Sequence, residues 1–380
     1  MPEISDLELI VNLRKELHKY PELSGNEKVT SRRIIRFLEE LQPDEIVCGI
    51  GGYGVAARFS GDSHGRRLLI RAELDALPVT EMNNFDYRSV NTGVSHACGH
   101  DGHMAVAAGV AKFFASERPE KGEVVVLFQP SEENGKGAEA VLGDPRFERL
   151  MPDFAIAMHN LPGYKKNSVI VRPDVFAMAS EGIIIRLEGK TSHAAEPENG
   201  LSPARAVSRL LEVLPGIAGS DIFKSFALVT VIHARLGEVA FGTSPGHALV
   251  MATLRACADN EMEELSGRAV QLAQSIAGEE GLKCSVSFTE RFPATVNDPG
   301  LAQMASDTAK ELSLEVCDPG DAFRWSEDFG WFTRKTRGLL FGIGAGKGHP
   351  ELHNPDYDFP DDITSAGINM LTRMSLKILG

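Results

Sequence analysis

Four short apolar runs, at 68–72, 123–128, 154–158 and 339–343, are interleaved with helical patterns, and each gives way to a polar or glycine-rich cluster. No other feature constrains the fold as tightly. Strands buried on both faces read as continuous apolar runs, and a parallel sheet covered by crossover helices is the arrangement that buries them so. In such sheets the reactive groups gather just past the carboxyl ends of the strands. A helix is expected at 102–116, between the first two runs. Leu7, Ile10, Leu13 and Leu17 space an opening helix that stops near Pro21, and Ile34, Ile35 and Leu38 mark a second at 31–41. A closing helix is expected near 364–379.

The middle of the chain has another rhythm. A strand at 182–187, a helix at 203–213, strands at 227–234 and 248–256, a helix at 261–277 and a strand at 284–289 succeed one another. The order β-α-β-β-α-β is that of a ferredoxin-like domain. The expectation is therefore an α/β fold. A mostly parallel-sheet domain is built from 1–179 and 292–380, and a ferredoxin-like domain is inserted at 180–291. At 380 residues the chain exceeds the ~250–300 at which single cores stop growing, which agrees with two domains.

Charge and composition exclude several function classes. The net charge of −14 disfavours nucleic acid and anionic lipid, which demand a basic face. No apolar run reaches the roughly 18–20 residues of a membrane span. The opening residues 1–6 are acidic and lack the basic and apolar regions of a signal peptide. Five irregularly spaced cysteines argue against a disulfide framework, so a cytoplasmic location is expected.

Two tempting motifs fail their context. The G-x-G-x-x-G at 49–54 is followed by strand-like Val55 to Phe59, where a dinucleotide site needs a helix N-terminus. The G-x-S-x-G at 242–246 joins two strands, where a nucleophile elbow needs a strand–turn–helix.

The chemistry concentrates elsewhere. Ser95-His96-Ala97-Cys98-Gly99-His100-Asp101-Gly102-His103 places five potential ligands at the start of an apolar helix. Taken singly, His and Asp there read as helix caps and Cys98 as a small buried residue. But Glu132 and Glu133 follow the apolar run at 123–128, His159 ends the run at 154–158, and His353 lies in the loop after 339–343. Adjacent carboxylates at a strand end repel each other unless a cation intervenes. One Cys, several His and a carboxylate suit zinc, or manganese, cobalt or nickel.

These residues resemble the M20 metallopeptidase/amidohydrolase family, in particular its N-acyl-amino-acid amidohydrolase branch, which includes hippuricases and auxin-conjugate hydrolases. The resemblance runs through His18-Lys19-Tyr20-Pro21-Glu22-Leu23, Arg71-Ala72-Glu73-Leu74-Asp75-Ala76-Leu77-Pro78, the block at 96–103 and the segment 128–133. It continues through Gly189-Lys190-Thr191-Ser192-His193-Ala194-Ala195 and Leu352-His353-Asn354-Pro355. It implies a zinc-peptidase-like catalytic domain with the inserted domain as a lid and dimerisation module. It implies two divalent ions per subunit, bridged by Cys98 and completed by His100, His159, Glu133 and His353. Glu132 becomes the general base for a metal-activated water that cleaves the amide of an N-acyl amino acid. Asp75 supports the site, orienting a ligand imidazole, and His193 reaches the substrate carbonyl from the partner subunit of a homodimer. A dipeptidase or aminopeptidase of the same family is the alternative activity, and a non-catalytic small-molecule-binding relative the alternative class. The sequence departs from many relatives at Gly242, where they carry an Asn beside the substrate carboxylate. Arg255, which stands where their carboxylate-binding Arg does, remains.

Overall fold

The structure, a computed structural model, describes residues 4–219 and 223–380; the first three residues of the acidic opening run lie outside them. The chain divides into two units.

The first unit comprises Met1–Phe176, Thr295–Asp321 and Glu327–Gly380. Its eight-stranded sheet is ordered Glu45–Ile50, Gly54–Ser60, Lys121–Gln129, Ser63–Glu73, Phe154–Pro162, Arg337–Gly346, Val169–Ile170, Val316–Cys317. The four expected apolar runs are the four central strands, and each pairs in parallel with its neighbours among them. The sheet is mixed towards its edges. Gly54–Ser60 is antiparallel to both Glu45–Ile50 and Lys121–Gln129, and Val169–Ile170 is antiparallel to Arg337–Gly346. The glycine run at 49–54 is the turn between the two antiparallel strands, with Gly49, Gly51 and Gly52 all at positive φ.

Alternation along the strands assigns the faces. Leu68, Ile70, Val124, Val126, Ile156, Leu339 and Phe341 face one core, shared with helices Ile4–Lys19, Lys28–Leu41, His100–Ser116 and Thr364–Leu379. His100–Ser116 is buried almost all round, from His100 to Ala111. A stripe is absent because the helix lies against the sheet with the opening and closing helices packed over it. It starts two residues before the expected 102, since His100 and Asp101 are buried in its first turn.

The second unit comprises Ala177–Ala294 and Ala322–Ser326. Its four antiparallel strands lie in the order Ala227–Leu236, His247–Ala256, Ala179–Glu188, Lys283–Phe292. With helices Ala204–Val213 and Asp259–Glu279 between them, this is the ferredoxin-like order. The segment at 242–246 holds a two-residue strand, Thr243–Ser244, paired with Ser192–His193. Among the described residues no helix is long and apolar enough to cross a membrane.

Candidate metal centre

The carboxyl ends of the central parallel strands of the first unit bring together groups far apart in sequence. Ser63–Glu73 runs into Asp75, Lys121–Gln129 into Glu132 and Glu133, and Phe154–Pro162 carries His159. The loop after Arg337–Gly346 supplies His353, at a left-handed φ of 67° and tied by its amide to the Ala97 carbonyl at 2.8 Å. Cys98 and His100 stand at the start of His100–Ser116. The intervening Gly99 has φ 84°, and a Cβ there would lie 2.5 Å from Asn160 Oδ1. Only glycine lets this turn close down on the strand that carries His159.

The ligand atoms converge. Cys98, His100 and His159 form one triad and Cys98, Glu133 and His353 another, each with its atoms within 4.8 Å of one another; His100, Glu132 and Glu133 form a third. Cys98 belongs to the first two triads, as a bridging thiolate would. His100 Nδ1 donates to the Asp75 carbonyl at 2.9 Å, with the Asp75 carboxylate at 3.7 Å. That leaves His100 Nε2 buried and without a hydrogen-bond partner among the described residues. It faces Glu133 Oε1 at 3.8 Å, equally buried and unpartnered. Two buried, unpartnered polar atoms in that relation are satisfied by a cation between them. His159 Nδ1 likewise donates to a carbonyl, that of Asn160 at 2.8 Å, and Nε2 lies 3.6 Å from Cys98 Sγ.

Electrostatics points the same way. Burial, and then Glu327, Glu133 and Asp328, push the Glu132 carboxyl well above its usual range. Burial pushes Glu133 up to about 7, with Asp75 adding to the rise and His100 opposing it. Burial with Glu133 nearby pushes the Cys98 thiol up to about 12. Burial lowers the His159 pKa, so the ring is neutral, the form that ligates. Burial would lower the His100 pKa, but Cys98, Asp75 and Glu73 raise it well above its usual value, so the cluster of buried acids draws positive charge, and divalent ions fit it.

Asp75, Cys98, His100, Glu132, Glu133, His159 and His353 thus share one site in the first unit. His193 and Arg255 belong to the second. His193 is exposed, and its Nδ1 accepts from the Ala195 amide at 3.1 Å. Arg255 donates to the Arg324 carbonyl at 2.8 Å and to Ser326 Oγ at 3.1 Å. A Cβ at Gly242 would meet nothing within 4 Å, so packing does not demand glycine there.

The sequence reading gave no role to a buried ionic cluster beside the site. Arg71, fully enclosed, forks onto Glu327 at 2.9 and 3.0 Å and pairs with Glu73 and Asp328. Glu73 Oε2 holds His103 Nδ1 at 2.6 Å, and the His103 ring packs 4.6 Å from that of His159. A signal was present: two opposite charges, Arg71 and Glu73, inside an apolar strand require buried partners.

The family described as peptidase family M20/M25/M40 matches residues 69–377. An N-acetyldiaminopimelate deacetylase of Exiguobacterium sibiricum is 29% identical over 96% of this chain and 98% of its own length. A hippurate hydrolase of Campylobacter jejuni is 29% identical over 100% of this chain and 99% of its own. A solved Bacillus subtilis structure, described as a dinuclear metal-binding peptidase of the M20 family, superposes with a TM-score of 0.84 at 25% identity. It covers 100% of this chain and 99% of its own. With a converged set of candidate metal-binding side chains and a family match over residues 69–377, the chain belongs to peptidase family M20/M25/M40.

Proposed function

We propose that the protein hydrolyses the amide bond of an N-acyl amino acid, releasing a carboxylic acid and an amino acid. It is a metal-dependent amidohydrolase, and the relatives named as a deacetylase and as a hippurate hydrolase support the acyl-amino-acid reading. The observation that carries it is the pair of ligand triads sharing Cys98, with Glu132 beside them.

Cys98, His100, Glu133, His159 and His353 would hold two divalent ions, zinc or manganese. When bound, the ions supply Lewis acidity and a water that ionises near neutral pH. Glu132 takes the proton of the attacking water on its carboxylate and passes it to the leaving amide nitrogen, as general base and then acid. Asp75 orders the site from behind, accepting from the Glu133 amide at 3.0 Å and Ser24 Oγ at 2.7 Å. In the second unit, Arg255 carries the guanidinium fork that suits a carboxylate. The His193 of that unit, delivered from a second copy in a homodimer, donates to the carbonyl oxygen as negative charge develops there.

The test is a panel of N-acetyl and N-benzoyl amino acids and dipeptides, run on protein reconstituted with zinc or with manganese, with and without chelator. Amino acid should be released from the acyl substrates and release should stop with chelator. Turnover of dipeptides alone, or bound metal with no turnover at all, would overturn the assignment.

A further inference from the structure

Ser131 is a non-glycine residue at φ 56°, a conformation that persists where the surroundings over-determine it. It opens the turn that carries Glu132 and Glu133, between strand Lys121–Gln129 and helix Gly137–Leu142. Within the turn the Gly135 amide donates to the Glu132 carbonyl at 2.7 Å and the Gly137 amide to the Ser131 carbonyl at 2.9 Å. Those bonds shape the turn without aiming it. The aim comes from three buried carboxylates on three other segments. Glu27 accepts from the Ser131 amide at 2.8 Å, Asp75 from the Glu133 amide at 3.0 Å, and Asp328 from the Ala138 amide at 2.8 Å.

Asp328 does more than the other two. It also accepts from Gln129 Nε2 at 3.0 and 2.8 Å, so it clips the end of the strand to the start of the helix across the base of the turn. Its own amide points at Glu132 Oε1, 3.4 Å away. Asp328 is anchored by Arg71, which is shared with Glu327 and Glu73. A buried ionic cluster of this kind is no better for stability than apolar packing of the same volume, whereas its directional bonds fix orientation. None of Arg71, Gln129, Glu327 and Asp328 has a part in the proposed chemistry.

We infer that Asp328, anchored by Arg71 together with Glu327, is the positioning residue of the Glu132–Glu133 turn, holding the two adjacent glutamates to different tasks. The inference rests on the reading of Glu132 as the proton-transferring group and Glu133 as a metal-binding one.

Asp328→Asn keeps the volume, removes the charge held by Arg71 and sets an NH₂ where acceptors are needed. In the metal-loaded full chain, kcat should fall about 10²-fold, the scale of a misplacement of about 1 Å, while KM hardly moves. Chelator competition should show metal affinity weakened by about 10–100-fold. In a Glu132→Ala background the substitution should change kcat no further, because the two residues act as a unit. An unchanged kcat and metal affinity with only a lower melting temperature would reduce Asp328 to a structural residue. An equal kcat loss in both backgrounds with metal affinity unchanged would place its action elsewhere. Should Asp328→Asn fail to fold, Glu327→Gln carries the same test through the Arg71 anchor. Chelator competition needs no substrate, so it judges the positioning role even if acyl amino acids fail the panel.

Discussion

Glu132 and Glu133 are neighbours of the same type, and what separates them is where the backbone turns each one. The Glu133 amide is held by Asp75 and its carboxylate faces His100 and His353, at 3.8 and 3.9 Å. Glu132 also comes within 3.9 Å of His100, but it has no such approach to His353 and its other oxygen is turned to the Asp328 amide. Glu132→Ala should therefore lose about 10²–10⁴-fold in rate yet retain its metal. Glu133→Ala should lose metal on dialysis, read by elemental analysis. Equal metal loss from both variants would refute the division. At this scale the ligand-type residues were legible, because Cys, His and paired Glu at the ends of apolar runs are chemically unusual. The Arg71–Glu327 pair was not, since its members stand 256 residues apart and nothing local announces which charge meets which.

Helix His100–Ser116 shows what an element adds. Its apolar pattern was readable, but its approach to its neighbours is set by small residues. A Cβ at Gly102 would lie 2.1 Å from the Phe359 ring, and Phe359 is fully buried in the segment that follows His353. Gly102→Ala should destabilise by about 1–3 kcal/mol, the usual range for overpacking a core, and calorimetric melting should show it. Unchanged melting would mean that Phe359 has room to move. Long strands and helices were legible from their periodicity, while Val169–Ile170 and Val316–Cys317 are two-residue strands with no period to detect. Helix Pro299–Glu311 was overlooked although its start is marked: Asp298 caps the Leu301 amide at 3.0 Å, and Pro299 takes the first position.

Across the whole molecule, the opening helix is fastened to the far end of the chain. Arg14 reaches Asp101 at 3.3 Å, Asp358 at 2.6 Å and Asp361 at 3.0 Å, and His18 lies between Asp101 at 2.8 Å and Glu81 at 3.1 Å. Burial alone would lower the His18 pKa, but Asp101 and Glu81 raise it from 6.5 to about 9. A pKa raised on folding stabilises fully below the unfolded value and is lost as pH climbs through the folded one. The stabilisation from His18 should thus be complete below pH 6.5 and fade towards pH 9, by up to roughly 3 kcal/mol. In thermal melts the gap between wild type and His18→Gln should narrow over that window. A gap that stays constant would show that His18 does not carry its proton in the fold.

By itself the sequence determined the α/β class, the ferredoxin-like insertion and the candidate metal-binding side chains. Those properties are written in local periodicity and residue type. Only the tertiary structure decided that Cys98 stands in two triads at once, that His100 is oriented by the Asp75 carbonyl, and that Asp328 clips the turn bearing Glu132. Each of these depends on which strand ends lie side by side and on bonds a few ångströms long between segments remote in the chain, and no local pattern encodes either.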